Sequence, residues 1–232
     1  MILFDNQYSI LFRLWRIAFL IPQFLFRSNW PFQRPAVALN LEPVNHMNGE
    51  PVNADNLFLI GYRCTGKSSV GRLLAAKLGR SFIDTDSLVV SENGMSIREI
   101  VDSLGWEAFR RLEHMALLQV CAADRRVVAT GGGIVLDVDN VTLMKRSGRI
   151  IWLRASPETI KARMVQDRDS EAFRPALTLT DSISEIEETL AKRASLYKHA
   201  MDFLVDTDNE RLDAIADFII EDLKRSDPAI FC

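Results

Sequence analysis

Cysteine and histidine are scarce. The 232 residues hold three of each: Cys64, Cys121 and Cys232, and His46, His114 and His199. The cysteines are odd in number, widely spaced and form no C-x-x-C pair. A disulfide framework and a structural zinc site are thereby disfavoured, and a reducing, cytoplasmic setting is expected. The histidines are as scattered and read as isolated residues, not as a shared metal site. An excess of positive charge is also missing. Twenty-eight basic residues face 31 acidic ones, a net charge of −3, which speaks against a protein that binds nucleic acid by neutralising phosphates. No apolar run reaches the roughly 18 residues that a membrane span needs. The longest, Ile17 to Phe26, is interrupted by Pro22 and Gln23. With 48% hydrophobic and 25% charged residues, the chain is neither disordered nor collagen-like. Its length suits one domain with an appendage, and is short for two enzyme domains.

The composition changes near residue 45. Residues 1–46 carry Arg13, Arg16, Arg27 and Arg34 against Asp5 and Glu42, so the head is positive and the remainder negative. This head reads as a targeting segment, an interfacial anchor, or sequence upstream of a start at Met47, the reading favoured. A polar linker with Pro43, Gly49 and Pro51 follows. The division expected is therefore an extension and linker over 1–55, a catalytic domain over 56–225 and a tail over 226–232.

Within the body, short apolar runs alternate with helical segments. Leu57–Ile60, Phe82–Ile83, Arg126–Ala129, Arg149–Leu153 and Phe203–Val205 read as strands. Residues 67–78 read as a helix stopped by Gly79. Ser156-Pro157-Glu158 supplies a cap, a first-turn proline and an acid at a helix start. Ile183, Ile186, Leu190, Ala194 and Tyr197 recur at helical spacing on one expected face. Alternation of this kind implies an α/β domain with a parallel sheet covered on both sides.

Gly61-Tyr62-Arg63-Cys64-Thr65-Gly66-Lys67-Ser68 matches G-x-x-x-x-G-K-[ST]. A chance match in a chain this long is on the order of one per cent, and here a buried strand precedes it and a helix follows, as the motif requires. Glycines let successive N–H groups turn toward phosphate oxygens, and the helix adds its positive end. Lys67 would reach the outer phosphates and the Ser68 hydroxyl would ligate Mg²⁺. The motif names a nucleoside triphosphate as donor and leaves the acceptor open.

Four further features bear on the acceptor. Asp84-Thr85-Asp86 ends the second strand, where i and i+2 would face one side. One carboxylate could hold magnesium and the other take a proton from an attacking hydroxyl. In Gly105-Trp106-Glu107-Ala108-Phe109-Arg110-Arg111-Leu112-Glu113, helical spacing lets Arg110 pair with Glu113. Gly131-Gly132-Gly133 after the third strand suggest backbone lying close to a ligand. Arg163, Arg168 and Arg174 flank a polar stretch that reads as a lid.

Taken together, these motifs resemble the shikimate kinase family: the phosphate loop, D-T-D, F-R-x-x-E, G-G-G, Arg174-Pro175-Ala176-Leu177 in the lid, and Arg193 four residues before Tyr197. The resemblance spans about residues 56–225. It implies a three-layer P-loop kinase fold with a five-stranded parallel sheet in order 2-3-1-4-5, and transfer of the γ-phosphoryl group of ATP to the 3-hydroxyl of shikimate with Mg²⁺. It implies Lys67 and Asp86 as catalytic, and Cys64, Thr65, Gly66, Lys67, Ser68, Ser69 and Arg174 toward ATP. Asp86, Arg110, Gly131, Gly132, Gly133 and Arg193 would meet shikimate, with Ser68 and Asp84 toward the metal. A monomer acting on a small molecule, without nucleic acid or membrane, is expected. Cys64 departs from the family, which often has glycine there, and its side chain must point away from the phosphates or the loop must shift. The rivals are a related kinase for gluconate or a nucleoside monophosphate, and a non-catalytic nucleotide-binding protein.

Overall fold

β1 (Asn56–Ile60) is buried along its whole length, because both of its faces are covered. Successive side chains alternate sides. Leu57 and Leu59 pack with Val70, Leu74, Ile215, Ile219 and Leu223 on one face, whereas Phe58 and Ile60 pack with Leu117, Val120, Ile134, Met144 and Tyr197 on the other. In this computed structural model, residues 55–166 and 183–228 are described. The head, the lid arginines Arg168 and Arg174, and the last four residues lie outside the described residues.

The elements after β1 run α1 (Lys67–Leu78), β2 (Ser81–Asp84), α2 (Thr85–Asn93), α3 (Ile97–Cys121), β3 (Arg126–Ala129), α4 (Val138–Ser147), β4 (Gly148–Arg154), α5 (Pro157–Gln166), α6 (Ile183–Ala200), β5 (Phe203–Asp206) and α7 (Leu212–Ser226). The five strands form one sheet in the order β2-β3-β1-β4-β5, and every neighbouring pair is parallel. Helices α1 and α7 cover one face, and α3, α4 and α6 contribute to the other. The order places β1 in the middle, so the loop leaving its carboxyl end opens at the point where successive connections diverge to opposite sides. Ligands of open α/β sheets bind in such a crevice.

Asn56, the one polar residue in β1, is satisfied: its side-chain amide donates to the Ala123 carbonyl at 3.0 Å and its Oδ1 accepts from Arg126 N at 3.0 Å. The strand and helix readings hold, with ends displaced by a residue or so. Gly79 caps α1 in the left-handed region at φ 62°, and the Ser156 hydroxyl accepts from Thr159 N at 3.2 Å at the start of α5. Two readings need correction. On α6, Ile186, Tyr197 and Ala200 are buried, whereas Ile183 and Ala194 are exposed, so the apolar stripe is narrower than its spacing suggested. The D-T-D is not a strand segment either. β2 stops at Asp84, whose carboxylate caps α2 by accepting from Asp86 N and Ser87 N at 3.1 and 3.2 Å. Asp86 therefore projects from the first helical turn, not from the strand's face.

Candidate active site

The loop from Gly61 to Ser68 joins the buried end of β1 to α1. Gly61 has φ 140°, and a Cβ there would run into the Leu153 carbonyl of the neighbouring strand, so no other residue fits. Gly66, at φ 96°, caps α1. Lys67 is buried, its Nζ donating to the carbonyls of Gly61 at 2.9 Å and Tyr62 at 2.7 Å. The Ser68 hydroxyl donates to Asp84 Oδ2 at 2.6 Å. Cys64 takes φ 60°, a conformation that L side chains disfavour. Its side chain packs against Tyr62, Ala155, Ile160 and Met164, and its carbonyl accepts from Arg163 at 3.3 Å. The loop thus keeps a glycine-like turn at this position with a cysteine in it.

Cys64, Gly66, Lys67, Ser68, Ser69 and Asp84 line one open cavity of about 960 Å³, together with Thr130, Arg163 and Gln166. Thr65 is turned inward: its hydroxyl donates to the Tyr62 carbonyl at 2.8 Å, and its own carbonyl accepts from Thr207 at 3.1 Å. Any contact it makes with a phosphate falls to its N–H. Arg163, which the sequence did not assign, is held over this cavity by Thr207, whose hydroxyl and carbonyl it meets at 3.1 and 2.5 Å.

A second cavity, of about 510 Å³, is lined by Asp86, Arg110, Glu113, Gly131, Gly132, Gly133 and Arg193, with walls from Tyr62, Arg63, Ile97, Trp106 and Phe109. α3 supplies Arg110 and Glu113 after a kink at Gly105, φ 82°. Arg110 stacks over Trp106 and Phe109, its Cζ 5.5 and 5.2 Å from their ring centres. Its NH1 meets Glu113 Oε2 at 2.6 Å. Burial pushes the Glu113 carboxyl up to about 7, the Arg110 charge opposes that shift, and the nearby Asp86 adds to it. Among the described residues, Glu113 Oε1 is buried without a hydrogen-bond partner.

Two of the three glycines, Gly131 and Gly133, turn out to make room for side chains. A Cβ on Gly131 would collide with Glu113 Oε1 and lie 2.8 Å from Asp86 Oδ1, and one on Gly133 would lie 2.6 Å from Arg110 Cζ. The Gly132 carbonyl accepts from Arg193 at 3.1 Å and from Tyr197 at 2.6 Å. The polar wall is therefore two acids and the three guanidiniums of Arg63, Arg110 and Arg193, and the other side chains are aromatic or aliphatic. A small, flat, anionic molecule with several hydroxyls matches that chemistry.

The two cavities share their partition. Tyr62 and Arg63 face the second and Cys64 the first, Asp86 the second and Asp84 the first, and Gly131 the second and Thr130 the first. Every sequence-assigned residue within the described range except Thr65 lines one or the other. Arg63, Trp106 and Phe109 had no separate signal as ligand contacts: Arg63 stands at a variable position of the loop motif, and aromatic residues at helical spacing read equally well as core.

A model of the shikimate kinase family matches residues 63–224. Shikimate kinase 2 of Photorhabdus laumondii is 43% identical over 141 residues, covering 61% of this chain and 80% of that protein. Shikimate kinase 2 of Yersinia pestis is 41% identical over 150 residues, covering 65% and 85%. Among solved structures, the shikimate kinase of Acinetobacter baumannii in complex with shikimate superposes with a TM-score of 0.70 at 28% identity, over 74% of this chain and 94% of its own.

Proposed function

The chain belongs to the shikimate kinase family, and from that premise we propose how its two cavities divide the reaction. The protein is a phosphotransferase that moves the γ-phosphoryl group of ATP to the 3-hydroxyl of shikimate, with Mg²⁺. The single observation that carries the residue assignments is the partition just described, which puts a triphosphate loop and an acid-and-guanidinium pocket back to back.

Arg110 and Arg193 hold the shikimate carboxylate, a planar anion that guanidinium forks grip through paired N–H bonds. Glu113 fixes the Arg110 fork from behind, and Trp106 and Phe109 carry its flat face. Asp86 accepts hydrogen bonds from ring hydroxyls and takes the proton of the attacking one. On the donor side, the loop N–H groups from Cys64 to Ser69 cradle phosphates. Lys67 exchanges its carbonyl partners for the transferring group, and its positive charge stabilises the charge that develops there. Ser68 and Asp84 fit a magnesium ion, since this cation prefers hard oxygen donors and keeps most of its waters, so that one hydroxyl and one carboxylate suffice. Bound there, it would offset the negative charge of the phosphates.

The thiols of Cys64 and Cys121, both free, support a reducing, cytoplasmic setting. Among the described residues, no helix is long and apolar enough to cross a membrane. The test is acceptor choice: ADP release measured with shikimate, gluconate and a nucleoside monophosphate in parallel. The reading requires shikimate to be the preferred acceptor by kcat/KM, and faster turnover of gluconate would overturn it.

A further inference from the structure

Tyr197 has no exposed surface, and its ring stacks on Trp152 at 5.4 Å and 24°. A buried phenol needs a hydrogen-bond partner. This one finds the Gly132 carbonyl, at 2.6 Å, in a wall of the acceptor cavity. Burial pushes its ionisation up to about 12, so the hydroxyl remains a donor at any working pH. Arg193, one helical turn earlier on α6, donates to the same oxygen from NH1 at 3.1 Å. One carbonyl thus takes two donors, filling both lone pairs.

That doubling matters because the two donors have different futures. Arg193 is the guanidinium assigned above to the acceptor's carboxylate. A bidentate grip on a planar anion fixes the plane of the fork, and a fork bent onto backbone has to turn to make it. Were Arg193 the sole donor, that turn would strip Gly132 of its partner just as a bound acceptor covers it from water. A second donor, held rigidly by the stack on Trp152, removes that penalty.

We propose that Tyr197 is a positioning residue of the acceptor site: by holding the Gly132 carbonyl, it frees Arg193 to turn its guanidinium onto the incoming carboxylate. The proposal rests on the shikimate reading above.

Tyr197→Phe keeps the ring and its stack and deletes the donor. In the free protein Arg193 still satisfies Gly132, so the melting temperature should stay within about 2 °C of the parent. The cost should emerge when Arg193 turns. The KM for shikimate should rise on the order of tenfold, with the KM for ATP and the kcat at saturating shikimate little changed. An unchanged shikimate KM in this variant overturns the proposal. So does a parallel rise in both KM values with a lower melting temperature. Turnover of shikimate by the parent protein is measured first. If the parent fails, the functional reading falls and the proposal with it, whereas a competent parent with an indifferent Tyr197→Phe variant sinks the proposal alone.

Discussion

Gly133→Ala separates packing within the acceptor site from the stability of the fold. Gly133 has φ −105° and ψ 5°, values open to any residue, so alanine introduces no backbone strain. By restricting the unfolded chain it contributes about 0.4–1 kcal/mol of stability, which offsets part of what a displaced Arg110–Glu113 pair loses. Its Cβ, however, would lie 2.5 Å from Arg110 NH1 and 2.6 Å from Cζ. Comfortable separations are about 3.5–4.0 Å, so the guanidinium must withdraw by roughly an ångström. It would lose its 2.6 Å bond to Glu113 or its aim at the carboxylate, or both. A hydrogen bond to a charged group is worth about 1.5–3 kcal/mol, and each 1.4 kcal/mol is tenfold in affinity. The KM for shikimate should therefore rise by about ten- to a hundredfold. ADP release followed against shikimate at saturating ATP, with a thermal melt, reads both halves. The KM for ATP should not move, since Gly133 does not line the nucleotide cavity. Gly132→Ala is the internal control, because its Cβ would come no nearer than 3.4 Å to Arg63 N and Gly61 O and should do less harm. A folded Gly133→Ala protein with a shikimate KM within twofold of the parent would refute the reasoning.

Asp86→Asn should lower kcat by about 10²–10⁴-fold, the usual contribution of a positioned general base, with a smaller change in the KM for ATP; a kcat within threefold of the parent would remove Asp86 from the proton transfer. Glu113→Gln should flatten the dependence of stability on pH. The Glu113 carboxyl sits at about 7 in the folded chain against 4.5 for an ordinary glutamate, so the folded state holds an extra proton between these values. Its stabilising contribution is complete below about 4.5 and is lost as pH rises through about 7. Urea unfolding at pH 5 and pH 8 should show a larger loss in the parent than in the variant, and equal losses would contradict the assignment. Leu74→Ala empties a fully buried position of α1 against β1 and should cost about 2–5 kcal/mol in urea unfolding; a cost under 1 kcal/mol would mean that this face of the sheet is not packed as described.

Much of the fold was legible in the sequence because its elements are local. β1 is a run of four apolar residues ahead of a glycine-bounded loop, and its neighbours alternate with helices at the expected periods. The sheet order came with the family resemblance, since periodicity alone says nothing of which strands pair. The site was legible where a motif fixes chemistry and spacing together, as in Lys67-Ser68 or the Arg110–Glu113 pair three residues apart. Asp84 and Asp86 were rightly grouped for an incomplete reason: a cap and a first helical turn bring them to adjoining cavities, and strand alternation does not. The contributions of Arg63 and Arg163 depend on contacts between segments far apart in the chain. Glu113 and Arg110 occupy the space where side chains on Gly131 and Gly133 would stand, and such a relation is three-dimensional by nature.

The account's central claim is that the donor and acceptor cavities serve one transfer, to one hydroxyl. Phosphorus NMR of the product formed from ATP, Mg²⁺ and shikimate tests it most directly. The account requires ADP and a single new phosphate monoester on the 3-hydroxyl, formed in equal amounts. ADP accumulating with free inorganic phosphate and unmodified shikimate, or the phosphate appearing on a different hydroxyl, would contradict it.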